Sequence, residues 1–320
     1  MNSSLPLSLD IGATRLRMAY AERQDGGVKI QRIAVRELPG GAASSGHIVH
    51  GAFVAAIIDD ARAELNVRER RCVCAIGAPD AFLHAIAFPK MTWIERDRAA
   101  RFEVARYLDF PIDEALVRMQ NVDPGRGIYA VGAARTAALK SRVAALRQAG
   151  LRPLAVDHES SALARALEGF DAIVDVGFER SCIHACTAGS VPYTVTVASG
   201  GRSVTQSIAR ELGIDERSAE RRKRIVGTAG AGESQTYLAR QVAGAIESLR
   251  RRVAVHTTAL VGNGARTKGL AAAIEAAANV RVTIPICAAL RGNAFADDVL
   301  RASAADWNLV AGIALWSAAR

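Results

Sequence analysis

Aromatic side chains are scarce in this 320-residue chain, with Phe, Trp and Tyr together making up 5% of it. No aromatic–basic signature for stacking RNA and no zinc-finger spacing is present, so nucleic acid is not an expected partner. Cysteine is sparse as well. The five cysteines, at 72, 74, 182, 186 and 287, are odd in number and lack paired metal-ligand spacing. Cys72 and Cys74 fall on one face of a strand, and all five read as small buried residues in preference to a metal or redox centre. Long apolar runs are missing: nothing approaches the ~20 uninterrupted apolar residues of a membrane span. The opening Met1-Asn2-Ser3-Ser4-Leu5-Pro6 has neither a basic start nor an apolar signal core. The expected compartment is therefore the cytoplasm.

What is present is the composition of a folded α/β protein. Half the residues are hydrophobic and 23% are charged, which excludes a disordered chain and supplies enough core for two domains. The net charge of +9 comes mostly from arginine, densest in Arg221-Arg222-Lys223-Arg224 and Arg250-Arg251-Arg252. Such runs suit an acidic partner or an anionic membrane surface, and they equally suit solvated helix faces.

One short pattern occurs twice. Leu7-Ser8-Leu9-Asp10-Ile11-Gly12-Ala13-Thr14 and Ala172-Ile173-Val174-Asp175-Val176-Gly177 each run an apolar strand into Asp-x-Gly, followed by a second apolar run. The strand delivers a carboxylate to its end, and the glycine lets the following turn bring backbone N–H groups close to a ligand. Two such hairpins facing each other make a phosphate clamp, which points to a two-lobed nucleotide-binding protein. A third element, Ala259-Leu260-Val261-Gly262-Asn263-Gly264-Ala265, reads as strand, glycine loop and helix start, where a sugar or phosphate can meet backbone amides. It is not a dinucleotide fingerprint, because the third glycine and the ribose-binding acid are missing at their expected distances.

Along the chain, residues 7 to 38 read as three strands, Pro39 to Gly46 as a flexible loop, and Phe53 to Leu65 as a helix with Phe53, Ile57, Ala61 and Leu65 on one face. A buried strand, Arg71 to Ala78, stops at Pro79. From Phe82 a separate strand–helix–strand–strand–helix module begins, its helices at 94–108 and 142–149 and its strands at 82–88, 116–122 and 129–134. Leu154 to Val156 returns as a strand, and Asp157-His158-Glu159-Ser160 offers capping residues for a helix at 162–167. In the second half, helices are expected at 204–212 and 215–224 and a linker at 227–232. The following helix, 235–252, has Leu238, Val242, Ile246 and Leu249 on one side.

This order of two Asp-x-Gly hairpins, an inserted α/β module and a late Gly-x-Gly-Ala loop resembles the actin/Hsp70/hexokinase nucleotide-binding superfamily. Within it the chain resembles the PilM family of actin-like type IV pilus assembly proteins, and more distantly FtsA. Pro89-Lys90-Met91, the segment Tyr107-Leu108-Asp109-Phe110-Pro111-Ile112 and the stretch from Ala149 to Leu167 carry the likeness. The resemblance implies an α/β, two-lobed, actin-like (ribonuclease H-like) ATPase fold. Residues 1–81 with 151–170 would form the first lobe, 82–150 an inserted protein-docking module and 171–320 the second lobe. The outer subdomain of that second lobe would be reduced, because the segment between Arg224 and Gln235 is short.

The resemblance also implies ATP. Asp10, Gly12, Ala13 and Thr14 match the first phosphate loop, Asp175 and Gly177 the second, and Gly200 and Gly201 the glycine pair beyond it. Glu220 and Lys223 match the pair bracketing ribose and base, and Gly262, Gly264 and Ala265 the adenosine loop. Mg2+ would ride on the triphosphate, met by Asp10 and Asp175 mainly through its waters. Phe178-Glu179-Arg180 departs from the small or hydroxyl residues expected after Gly177, and Asn263 replaces a middle glycine.

Asp157 and Glu159 are the acids available to orient an attacking water, or else they cap a helix; slow or absent turnover is expected. The implied partner is the cytoplasmic N-terminal tail of PilN, with Phe102, Tyr107 and Phe110 as anchors on the module unless those rings fill its core. Other pilus inner-membrane components and the motor ATPase would follow, with the protein held at the inner face of the inner membrane through its partners. The alternatives are an actin-like component of a related secretion or DNA-uptake machine, and a small-molecule kinase of the same superfamily.

Overall fold

The computed structural model describes residues 3–24, 27–44, 47–186, 191–225, 232–291 and 297–316. Its packing separates two units. The first gathers the described residues up to Arg165 with 191–193 and 310–316, and the second the rest.

The first unit is built from β1 (Leu7–Ile11), β2 (Arg15–Gln24), β3 (Gly27–Glu37), α1 (Gly51–Leu65), β4 (Arg71–Ile76), β5 (Ala81–Ala87), α2 (Trp93–Ala105), β6 (Ala115–Asp123), β7 (Ile128–Arg135), α3 (Thr136–Gln148), β8 (Arg152–His158) and α4 (Glu159–Ala166). The main sheet runs β3-β2-β1-β4-β8. Its first three strands are antiparallel, and β4 and β8 are added in parallel. β1 is central, so even Ser8 is buried along with Leu7 and Leu9, as a strand covered on both faces requires. Leu7, Leu9, Met18, Ile58, Leu65, Cys72 and Cys74 share one core.

In α1 the expected face is buried except at its start. Phe53 is exposed, Ile57 is half-buried against the core, and Val54, Ala55 and Ile58 join Ala61 and Leu65 inside. The buried stripe is therefore wider than the i, i+4 series, and Phe53 falls outside it.

β5, β7 and β6 form a separate antiparallel sheet in that order. α2 covers it and opens on a capping box in which Thr92 Oγ1 accepts from Glu95 N–H while Glu95 accepts from Thr92 N–H. Phe88, Ala100, Val104, Phe110, Val117 and Val131 form its core. The sequence assigns the 142–149 helix to this module, but packing does not. The buried Ala145 and Leu146 of α3, with Ala149 and Leu151, belong to the main-sheet core. A periodic stripe announces a helix without saying which sheet it will face.

The second unit holds β9 (Ala172–Val176), β10 (Ser181–Ala185), β11 (Tyr193–Val197), α5 (Gly201–Leu212), α6 (Glu216–Ile225), α7 (Gly232–Arg250), β12 (Thr257–Val261), α8 (Leu270–Ala278), β13 (Arg281–Thr283) and α9 (Asp297–Trp316). Its sheet order, β11-β10-β9-β12-β13, repeats that of the first unit. β9 again pairs antiparallel with its hairpin partner and parallel with β12, which in turn pairs parallel with β13. Leu238, Val242, Ile246 and Leu249 of α7 are all buried on one face. Between β11 and α7 the described residues form two helices, α5 and α6, and the expected linker falls, as far as 231, outside the described residues. The last turns of α9, expected in the second lobe, pack with the first unit. Gly312 lies so close to the Ala162 backbone that a Cβ there would overlap it.

Candidate functional site

The two Asp-x-Gly segments are built alike. Asp10 and Asp175 are each the one half-buried residue in a strand whose other four residues are buried. In each hairpin the glycine closes the turn on the residue three further on: Gly12 N–H donates to Arg15 O at 2.9 Å, and Gly177 N–H to Arg180 O at 2.9 Å. The residues opposite the two acids on the paired strand differ in charge. Asp10 faces Arg17 across the hairpin and is ion-paired with it at 3.0 Å, whereas Asp175 faces Cys182. Ala13 and Thr14 are half-buried in the first turn.

In the second unit, four segments distant in sequence converge. Gly201 N–H donates to Gly177 O at 2.9 Å and Arg202 N–H to Phe178 O at 2.8 Å, which clips the start of α5 onto the β9 hairpin. Gly200 must be glycine there, since a Cβ would lie 2.7 Å from Arg180 N and Phe178 O. A Cβ on Gly201 would lie 3.3 Å from Lys223 Nζ and 3.6 Å from Gly264 Cα. Gly201 therefore faces both α6 and the loop after β12. In that loop Gly262 has φ +81°, and a side chain there would overlap the Asp175 carboxylate. Gly264 is pressed onto Val176, and Ala265 N–H returns to Gly262 O at 3.1 Å.

α6 supplies the polar groups. Lys223 is buried, and its Nζ donates to Gly201 O (3.0 Å), Thr205 Oγ1 (2.8 Å) and Glu220 Oε2 (2.6 Å). Thr205 Oγ1 also bonds Glu220 Oε2 at 2.6 Å. Arg224 donates twice to Glu220 Oε1, from Nε at 3.1 Å and Nη2 at 2.9 Å, and reaches Asn263 Oδ1 at 3.3 Å. Burial opposes ionisation of Glu220, but Lys223, Thr205 and Arg224 outweigh it and hold the carboxyl down at about 2. Burial pulls the Lys223 ammonium below its ordinary value against the attraction of Glu220. Lys223 thus directs all three of its N–H groups inward, as a pin between α5 and α6. Sequence reasoning missed Thr205, Arg202 and Arg224. Arg224 was findable, being four residues after Glu220 on the same helical face. Arg202 Nη1 lies 3.8 Å from Glu179 Oε1, with its guanidinium 5.5 Å from the Phe178 ring centre, so both bulky residues of the altered turn meet one cation.

Gly201 thus packs against Gly264 and, through Lys223, is joined to the acid Glu220. At the start of α5, however, the amides of Gly201, Arg202 and Ser203 are all engaged with protein carbonyls, so they are not open to phosphate. Asp10 already carries Arg17 as its cation, and no group of three His, Cys, Asp or Glu suited to a metal exists among the described residues.

The two candidate catalytic acids are placed elsewhere. Asp157 is not a cap but the penultimate residue of β8, ion-paired with Arg165 and accepting His158 N–H at 2.9 Å. Glu159 opens α4 with its carboxylate against Gly77. On the module, Phe102 is 71% exposed and the half-exposed Tyr107 stacks on Phe82 at 5.1 Å. Phe110 is only 7% exposed and lies in the module core under the Arg135 guanidinium, which removes it as a surface anchor. The sequence did not single out Trp93 (68% exposed) and Ile94 (61% exposed), which belong to the same helix as Phe102.

The cysteines are free thiols, with Cys74 pushed up to about 11 and Cys186 to about 12 by burial. No described helix is long and apolar enough to cross a membrane.

Residues 8–318 match the family model described as type IV pilus assembly protein PilM. Among solved structures the chain is similar to the PilM–PilN type IV pilus biogenesis complex, with 25% identity, 98% of each chain covered and a TM-score of 0.87. It is also similar to the ethanolamine utilization protein EutJ from Carboxydothermus hydrogenoformans (16% identity, 97% of this chain and 89% of that one, TM-score 0.62). A third similarity is to MreB 5 of Spiroplasma citri bound to AMPPNP (11% identity, 98% and 96%, TM-score 0.56). The fold is the α/β fold of the actin-like ATPases.

Proposed function

The chain belongs to the family of type IV pilus assembly protein PilM, and from that premise we propose that it is a nucleotide-binding scaffold of the pilus assembly platform, working at the inner face of the inner membrane. The observation that carries the nucleotide half of this reading is the convergence in the second unit of Gly201, packed against Gly264, with Glu220, held to the start of α5 through Thr205 and Lys223. ATP is the proposed ligand, as the related MreB 5 structure holds AMPPNP. Gly262, Gly264, Ala265 and Glu220 would take its nucleoside, and Lys223 would act from behind by fixing α6 to Gly201. Gly177 belongs to the hairpin on which α5 is clipped. Asp10, Gly12, Ala13 and Thr14, with Asp175, would lie on the phosphate side. Bound magnesium would neutralise the triphosphate, held chiefly by the nucleotide.

The scaffold half rests on what the acids do. Asp157 is neutralised by Arg165 and Glu159 is packed at a helix start, so neither is poised to activate water and turnover is slow or nil. The partner is a PilN-like cytoplasmic peptide, in keeping with the similarity to the PilM–PilN complex. It would dock on the module through the exposed apolar side chains of α2 and Tyr107. Titration of Mg–ATP and of a PilN-tail peptide into the purified protein by calorimetry tests both halves, with Asp10→Ala as the phosphate-side control. Saturable binding of both is expected. Absence of ATP binding would remove the nucleotide half, and phosphorylation of a small molecule would remove the scaffold half.

A further inference from the structure

The acceptor sites of Glu220, the acid proposed above for the nucleoside, are occupied. A carboxylate offers about four lone-pair sites. Here Lys223 and Thr205 take Oε2, and Arg224 takes Oε1 through two N–H groups. The same Arg224 Nη2 continues to Asn263 Oδ1 in the loop after β12. The guanidinium therefore ties α6 to the residue between Gly262 and Gly264. Lys223 is buried behind it and held by three acceptors, whereas Arg224 is half-buried. Of the two cations on Glu220, only Arg224 can leave without unpacking α5 from α6.

Resting on the reading of Glu220 and the loop after β12 as a nucleoside site, we infer that the Glu220–Arg224–Asn263 bridge is a gate: Arg224 must swing away before a ribose hydroxyl can bond Glu220. The gate makes nucleotide affinity depend on how often the bridge is open. A bridge closed nine-tenths of the time lowers the apparent affinity about tenfold relative to the open form. It acts on the sugar end alone, so a ligand made only of phosphates does not sense it. It also explains Asn263, where a glycine would leave Arg224 without its acceptor on the loop.

The test is calorimetric titration of wild type, Arg224→Ala and Asn263→Gly with Mg–ATP and, in parallel, with magnesium and inorganic tripolyphosphate. Arg224→Ala is expected to tighten ATP about tenfold and Asn263→Gly by a smaller factor, while tripolyphosphate binding stays within about twofold in all three. ATP bound equally or more weakly by both variants, with wild type still binding it, overturns the gate and leaves the nucleotide site standing. No ATP binding by any of the three proteins overturns both. Asn263→Gly leaves the Glu220–Arg224 pair intact, so the gate stays testable should Arg224→Ala fail to fold.

Discussion

Glu220 and His158 are two groups whose charge is set by burial and partners, and they make separable predictions. Held at about 2 against an ordinary 4.5, Glu220 stays ionised in the folded state after it has begun to protonate in the unfolded one. Its contribution is fully present above pH 4.5 and is lost as the pH falls towards 2. From the size of the shift it is roughly 3 kcal/mol at neutral pH. Glu220→Gln should lower stability at neutral pH by an amount of that order, because Lys223 is left buried without its counter-charge, and should flatten the limb below pH 4.5. His158 is buried so completely that desolvation lowers it to about 4, with nearby His84 adding to the effect. Its Nδ1 lies 2.7 Å from Ser160 Oγ and accepts Ser160 N–H at 3.2 Å, and Asp157 precedes it in β8. The unfolded chain takes up this proton near pH 6.5 and the folded one near 4, so stability is lost as the pH is lowered from 6.5 to 4. Urea midpoints between pH 7 and 4 should show the slope in wild type and a reduced slope in His158→Gln; an unchanged slope would mean the proton goes elsewhere. The i, i+3 spacing of Glu220 and Lys223 was legible in the sequence. That Lys223 turns inward was not, because a lysine reads as a solvent residue until its three acceptors are seen.

Glycines at element contacts show why helices and strands can be read locally while their packing cannot. A Cβ on Gly312 of α9 would run into the Ala162 backbone, which cannot yield. A Cβ on Gly77 would first meet the end of the Glu159 side chain, which yields more readily than backbone. Gly312→Ala should therefore cost about 1–3 kcal/mol in chemical denaturation and Gly77→Ala distinctly less, although the substitution is chemically the same. Equal losses would mean that Glu159 is as fixed as backbone. Nothing in the local sequence around 312 announces that contact, since its partner lies 150 residues away. The same limit moved α3 from the module to the main-sheet core, turned Phe53 outward and placed Phe110 inside. In each case the apolar residue was recognised and its neighbour was not. The buried stripe of α7 came out as read because its four apolar residues leave only one face to bury.

The duplicated topology was the most legible feature of the chain. Two Asp-x-Gly strands, each flanked by a hairpin on one side and parallel strands on the other, impose the same order on both sheets. The duplication also separates two of the proposed roles, because the residues proposed for the nucleoside lie in the second unit and the exposed α2 side chains in the first. A ligand at 100 times its dissociation constant stabilises its protein by about 2.7 kcal/mol, so each site can be followed by thermal unfolding in the presence of its ligand. Gly201→Val, which puts methyl groups against Lys223 and Gly264, should abolish the Mg–ATP shift and leave PilN-tail binding intact. Trp93→Ala with Phe102→Ala should leave the ATP shift intact and weaken the peptide at least tenfold, since an exposed aromatic that anchors a partner is commonly worth more than 1 kcal/mol. Both α2 residues are mostly solvated in the free protein, so their loss should not lower its own unfolding temperature. If the double variant binds peptide as wild type does, the docking surface lies off α2, and the exposed rings of that helix need another occupant.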